Sequence, residues 1–178
     1  VRVQQRYPEA LVVHRLDMGT SGLMMMARSR ECQRILNHRF ASRDIFKRYE
    51  AVVSGTPQPG HTAPDGWSEI DDPIRLDWAQ RPKRVLDATA GKPSRTRWRL
   101  KRSMGTLSLL ELEPLTGRSH QLRVHLSGIG HPIVGDRLYG DVRGRLSARR
   151  LMLHACELSF EHPYQHHTVH LVCPSGFD

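Results

Sequence analysis

The sequence predicts a single α+β domain in which a largely antiparallel mixed sheet carries flanking helices. Three observations predict it. Strand-like segments outnumber helical ones, few of the connections between them have the length and pattern of a βαβ crossover, and 178 residues suffice for one well-buried core but scarcely for two. In chain order, residues 11–13 have the apolar pattern of a strand end and residues 23–27 that of a buried strand, with a polar loop over 14–22 between them. Ser29 is a candidate N-cap for a helix running towards Arg43, in which Cys32, Ile35, Leu36 and Phe40 recur on one face. Residues 47–53 follow as a strand whose alternation sets Tyr49 on one face with Ala51 and Val53.

The stretch 55–66, rich in Pro, Gly and Thr, reads as an exposed loop. Residues 95–100 and 106–113 form a hairpin pattern with its turn at 103–105, and Arg97 and Arg99 alternate so that one face of it is expected to be cationic. Residues 117–128 read as a short helix and 130–140 as a series of turns; the segments 151–160 and 167–172 read as strands.

Composition narrows the function classes. Hydrophobic residues make up 38% and charged residues 25%, as in ordinary globular proteins. No apolar run approaches the length of a bilayer span, so no membrane association is expected. The three cysteines, Cys32, Cys156 and Cys173, form no C-x-x-C pair, which speaks against a disulfide framework or a zinc cage and fits a reducing cytoplasm. A net charge of +9 points to a polyanionic partner. The charge is also concentrated: residues 81–102 hold nine basic residues and the single acid Asp87, and Arg143, Arg145, Arg149 and Arg150 form a second group. Like charges at that density repel one another, and phosphates relieve the repulsion while RNA releases its counterions.

Two segments carry the chemistry. His14-Arg15-Leu16-Asp17-Met18-Gly19-Thr20-Ser21-Gly22 places one carboxylate in a glycine-containing loop, where Thr20 and Ser21 can bond the local backbone and hold that carboxylate in place. Alone, such an aspartate would be an Asx-turn or a helix cap. The second segment, Leu115-Thr116-Gly117-Arg118-Ser119-His120-Gln121-Leu122-Arg123-Val124-His125, sets Arg118 at a helix start with Leu122 one turn on, so that a guanidinium and an apolar side chain can face one pocket. A solvated basic helix with Leu122 in the core is the plainer alternative.

Together the two segments resemble the RluA family of pseudouridine synthases, whose H-R-L-D-x-x-T-S-G loop and G-R-x-H-Q-[LI]-R-x-H segment are present without a break. The resemblance extends through Phe46-Lys47-Arg48-Tyr49, Trp78, Arg81-Pro82-Lys83, Gly91-Lys92-Pro93 and Gly130-His131-Pro132-Ile133-Val134-Gly135-Asp136 to Leu153-His154-Ala155, nearly the whole chain. It is most similar to the family's dual-specificity type. It implies the pseudouridine synthase fold, isomerase activity on structured RNA (23S rRNA, the tRNA anticodon stem-loop, or both), no metal and no organic cofactor. It further implies that Asp17 is the catalytic aspartate, Tyr49 the tyrosine that contacts the target base, Arg118 the arginine that pairs with the aspartate, and Arg15 the residue that enters the RNA as the base leaves its stack. His14, Thr20, His120 and Leu122 accompany them as expected RNA contacts, with Lys83, Arg84, Arg95 and Arg123 as the expected phosphate-binding surface. Family members carry an upstream strand and an N-K-P-x-G-[LM] loop ahead of the aspartate. Neither stands before His14, so residues 1–178 are expected to form a monomeric catalytic domain short of its N-terminal strand and loop, with no S4-type RNA-binding module.

Those residue types suit the reaction. Isomerising uridine breaks the N1–C1′ bond, turns the uracil and joins C5 to C1′; all atoms are conserved, so no redox partner is required. An ionised carboxylate can attack C1′ or remove the C2′ proton, and the sequence does not separate the two. A guanidinium keeps the carboxylate ionised and oriented, while a tyrosine offers a face for stacking and a hydroxyl that could assist loss of the C5 proton. Two rivals come from other classes. A metal-dependent hydrolase would use some of the 11 histidines, among them His120, His125, His131 and His154, but His120 and His125 are five apart, not four, amid basic residues that repel a cation. A non-catalytic RNA-binding or ribosome assembly module would share the charge and have no use for Asp17.

Overall fold

The computed structural model describes residues 2–59 and 64–177; part of the loop expected over 55–66 therefore lies outside the described residues. A short helix α1 (Arg2–Arg6) precedes strands β1 (Leu11–Val12), β2 (Ser21–Gly22) and β3 (Met26–Ala27), and helix α2 spans Arg30–Ser42. Strand β4 (Phe46–Ser54) is followed by β5 (Ser68–Ile70), β6 (Ile74–Leu76) and β7 (Arg84–Leu86), then by the long hairpin β8 (Thr96–Met104) and β9 (Leu107–Pro114). Helices α3 (Gln121–Gly128) and α4 (Val142–Leu146) lead to β10 (Leu153–Glu161) and β11 (Thr168–Val172).

The main sheet runs β11-β10-β4-β9-β8-β5 with every neighbour antiparallel, and β2 joins β10 in parallel, which makes the sheet mixed as expected. Strand β4 is central because its inward residues are apolar. Ala51 and Val53 are fully buried and Tyr49 packs against the same cluster, with Leu110 and Leu112 of β9, Trp98 of β8, Leu153 of β10 and Leu122 and Leu126 of α3. A second cluster, Met25, Ala27, Leu36, Ile45 and Leu158, sits beneath α2. The apolar stripe read from the sequence thus buries that helix. Ser29 caps it, its hydroxyl accepting the Cys32 N–H at 3.1 Å. Its other end stops at Arg43, whose φ of 67° turns the chain left-handed.

Several expectations are corrected. The strand expected over 23–27 is only two residues long, because the Leu23 N–H still goes to Ala155 O of β10 at 2.9 Å and the Met25 N–H to the His14 ring at 2.8 Å, which leaves Met26 and Ala27 to pair with β1. Strand β8 reaches Met104, and the turn falls at Gly105 and Thr106. The helix expected from Gly117 begins at Gln121. His120 has φ 60°, and the Gln121 side-chain oxygen takes the Arg118 N–H and the Thr116 hydroxyl, closing a turn ahead of the helix. The short elements α1, β2, β5, β6, β7 and α4 are not among the expected ones, and β2 falls within the loop expected over 14–22. Nor is the outer face of the hairpin a free cationic surface. Arg99 pairs with Glu111, Arg97 with Glu113 and Asp65, and Arg48 with Glu113 and Glu157, while the guanidiniums of Arg48, Arg97 and Arg99 lie over the buried Trp67 ring. The acids of β9 alternate in step with the arginines of β8, so cross-strand pairing neutralises the face.

The fold fixes the 14–22 loop at both ends. Strand β1 pairs with β3 on one side, and β2 lies along β10 on the other. At Gly22, φ is 105° and a Cβ would stand 2.2 Å from Ala155 O, so this close approach admits only glycine. Among the described residues, no helix is long and apolar enough to cross a membrane.

Candidate active site

A cleft of about 590 Å³ opens where that loop, β4, the end of β9 and the start of α3 meet. Among the described residues lining it, the charged ones are Arg15, Arg43, Lys47, Arg118 and a single acid, Asp17. Four cations around one carboxylate make a site for an anionic ligand that leaves the carboxylate free to react. Tyr49 and Leu122 enter from β4 and α3, and His14, Thr20 and His120, also expected from the sequence, line the cleft. Arg15 is exposed on the rim.

Asp17 is held from both chain and side chain. Its carbonyl accepts the Thr20 N–H at 3.0 Å, and its carboxylate, with 22% of the side chain exposed, lies 3.5 Å from a guanidinium nitrogen of Arg123. The arginine facing the aspartate is therefore Arg123 and not the expected Arg118, because the turn before α3 carries Arg118 outward, where its Nε donates to Pro93 O at 3.3 Å. Arg123 is itself locked. Its Nε and Nη2 donate to both oxygens of Asp136 at 2.7 and 2.8 Å, and that carboxylate also accepts the N–H groups of Leu138 and Tyr139. Burial alone would raise the Asp136 pKa, but the Arg123 hydrogen bonds and charge reverse the effect and hold it below the usual range. Asp17 thus faces a fixed positive charge and not a flexible surface arginine.

Tyr49 sits beside this carboxylate. Burial first, and the Asp17 charge second, push its pKa up to about 12, so at neutral pH it is a phenol with a proton to donate. His120 is neutral as well: burial lowers its pKa, with the Arg123 and Arg84 charges helping and Asp17 opposing. The Tyr139 hydroxyl accepts the Arg84 N–H at 2.8 Å and stands 2.6 Å from His120 Nδ1. With that hydroxyl as the donor to Nδ1, the neutral ring carries its proton on Nε2.

Other expected contacts take different parts. The His14 Nε2 accepts the Met25 N–H, its ring packs on Phe40 at 4.6 Å, and burial with the Lys47 charge lowers its pKa to about 4, so His14 braces the loop as a neutral ring. Arg123, being buried, is not a surface phosphate contact. Arg95 pairs with Glu69, and Lys83 donates to the Gln80 side chain at 3.0 Å. Lys83, Arg84 and Arg95 all lie off the cleft lining. Thr20 keeps its place, with a buried hydroxyl that has no partner among the described residues. Sequence reasoning missed Arg43, Lys47, Asp136 and Tyr139. The G-D-R-L-Y run at 135–139 was one available signal, since an acid and a tyrosine in a turn ahead of a strand need polar partners. The histidines on which a metal site would rest are engaged elsewhere: His125 with Thr96 and Asp72 O, His131 with Ser54 O, and His154 with Ser21 and Cys173 O.

Comparison with known proteins agrees with this geometry. A model of the RNA pseudouridylate synthase family matches residues 2–128. The chain is 39% identical over 177 residues to the dual-specificity RNA pseudouridine synthase RluA of Escherichia coli strain K12, covering 99% of this chain and 78% of that protein. To the protein of the same name from Vibrio parahaemolyticus it is 41% identical over 181 residues, covering 99% and 70%. Among solved structures, human RNA pseudouridylate synthase domain containing 1 superposes with a TM-score of 0.82 at 32% identity, over 97% of this chain and 72% of that one. With the family's fold, its motif residues around one cleft and this extent of identity, the chain belongs to the RluA-type RNA pseudouridylate synthases, isomerases that convert uridine in RNA to pseudouridine.

Proposed function

We propose that this isomerase modifies a uridine of 23S rRNA, of a tRNA anticodon stem-loop, or of both, working in the cytoplasm as a monomer with residues 1–178 as its catalytic domain. The two bacterial relatives named above carry the name of dual-specificity RNA pseudouridine synthases, which supports more than one RNA substrate. The observation that carries the reading is the lone carboxylate of Asp17 set among Arg15, Arg43, Lys47 and Arg118, facing the locked guanidinium of Arg123.

In this reading the target base leaves its stack, at a cost of a few kcal/mol, and Arg15 on the rim fills the gap while meeting phosphate. Asp17 then attacks C1′ or takes the C2′ proton, and either way its negative charge is steadied by Arg123. Tyr49 stacks on the freed uracil and donates its hydroxyl; its raised pKa disfavours service as a base. His120 presents its Nε2–H to a carbonyl or phosphate, and Leu122 supplies an apolar wall. Arg118 at the mouth is free to turn to the incoming phosphate, or to Asp17, once RNA seats. No step calls for a cofactor.

The test is pseudouridine mapping on 23S rRNA and tRNA transcripts treated with the purified protein. Wild type is expected to form pseudouridine at one or two positions, and Asp17→Asn to bind the same RNA with none formed. Pseudouridine at wild-type rates from Asp17→Asn would overturn the assignment. RNA binding by wild type without product at any position would favour a non-catalytic RNA-binding module.

A further inference from the structure

Of the three tryptophans, Trp67 and Trp98 are buried, while Trp78 is 69% exposed. It stands at the tip of the β6–β7 hairpin, whose strands pair in register from Ile74 with Leu86 to Leu76 with Arg84. The tip is closely bonded. The Asp77 N–H donates to Lys83 O at 3.0 Å, the Lys83 N–H to Gln80 O at 2.9 Å, and the Asp77 carboxylate accepts the N–H groups of Ala79 and Gln80 at 3.1 and 3.2 Å. The one acid of the tip is thus turned onto its own backbone. The Arg81 guanidinium lies 3.8 Å from the Trp78 ring centroid, covering one face and leaving the rest of the indole to solvent. Lys83, in the same tip, donates to the Gln80 side chain and has no acidic partner among the described residues.

This tip is coupled to the cleft. The Arg84 N–H is held by the Tyr139 hydroxyl that also bonds His120, and Leu86 packs so closely on α3 that a Cβ at Gly128 would be 2.4 Å from it. A large apolar ring fixed in solvent by a preformed loop, with a cation on one face and a second cation adjacent, suits a ligand that is planar, aromatic and anionic.

We propose that the 77–83 tip is a second RNA contact, in which an unpaired base outside the catalytic cleft stacks on the open face of Trp78, continuing the Arg81–Trp78 stack, while Arg81 and Lys83 meet the adjoining phosphates. The proposal rests on the RNA reading above and adds a residue that takes hold of the substrate away from the reacting uridine. Charge complementarity selects the occupant, since the tip's outward charges are all positive.

Trp78 reports on its own contact, because a stacked base quenches indole emission and the other two tryptophans are buried. An RNA stem-loop on which the wild-type protein forms pseudouridine is titrated into wild type, Trp78→Phe and Trp78→Ala. Expected are a fall in red-edge emission with wild type, its absence with Trp78→Phe, near-normal affinity for Trp78→Phe, and a Kd raised about tenfold for Trp78→Ala, within the range for losing one stacked base. Thermal melts matching wild type will show that these surface variants fold. A quench that persists in Trp78→Phe, or wild-type affinity in Trp78→Ala while pseudouridine is formed, would overturn the tip contact alone. A wild-type protein that neither binds nor modifies any RNA would overturn both this contact and the functional reading.

Discussion

Replacing Asp136 by Asn separates the frame of the active site from its chemistry. In wild type the Asp136 carboxylate, 1% exposed, accepts two hydrogen bonds from Arg123 and two from backbone N–H groups. The amide removes the charge and puts a donor where one of the two acceptors is needed, leaving Asp17 at 3.5 Å as the one anionic partner of the buried Arg123 cation among the described residues. Removing one partner of a buried pair costs about 3–5 kcal/mol. In a domain of this size that is a fall in Tm of roughly 6–20 °C, read by calorimetry and urea denaturation. Asp17→Asn is the control. Its carboxylate is partly exposed and not in close contact, so the cost should stay within about 1 kcal/mol while turnover disappears. The pH dependence fixes the cause. Because the folded pKa of Asp136 lies below the unfolded value of about 3.9, its contribution is complete above that value and is lost as pH falls through the lower folded one. The stability gap between wild type and Asp136→Asn should therefore be constant from pH 5 to 7, taken as a working window of roughly one to three units above the unfolded pKa, and close in acid. A gap under about 1 kcal/mol at neutral pH, or one that does not narrow in acid, would refute the reasoning.

Two further outcomes are expected. Tyr139→Phe removes the hydroxyl that bridges the Arg84 N–H and His120 Nδ1; loss of about 1 kcal/mol should lower kcat/KM about fivefold, and imidazole nitrogen NMR should show the Nε2–H form of His120 in wild type giving way to a tautomer mixture. Arg118→Ala should reduce the slope of log Kobs against log salt by about one counterion, whereas Arg95→Ala, whose cation is already paired with Glu69, should leave that slope nearly unchanged.

Much of the architecture was legible because it rests on local periodicity. The helix α2 declares itself through Ser29 and the apolar stripe Cys32, Ile35, Leu36 and Phe40, and β4 through the alternation that puts Tyr49 with Ala51 and Val53. The short strands β5, β6 and β7 were not legible: three residues contain too little of a period to register, and they exist because β5 finds Thr96 to Trp98 of β8 across the sheet and β6 finds β7. The same holds for the start of α3. Nothing in the residues from Gly117 to His120 forbids a helix, but the Gln121 side chain caps the turn at Thr116 and Arg118, a contact no helical period encodes.

The charges teach a related lesson about the site. By density alone, residues 81–102 are the most basic stretch of the chain, yet much of that charge is cancelled by acids distant in sequence: Arg95 by Glu69, Arg97 by Glu113 and Asp65, Arg99 by Glu111, and Lys101 by Glu50. The charge that surrounds Asp17, with no ion pair among the described residues, comes one residue at a time, Arg15 from the loop, Arg43 from the end of α2, Lys47 from β4 and Arg118 from the turn before α3. Folding, not local density, produces that field. Burial lowers the Lys47 pKa and the neighbouring Arg43 charge lowers it further, as befits two cations brought to one part of the cleft by different elements. Density in the sequence marks where cations are numerous; a binding site needs them where no acid can reach, and only the tertiary arrangement of sheet, loop and helix decides that.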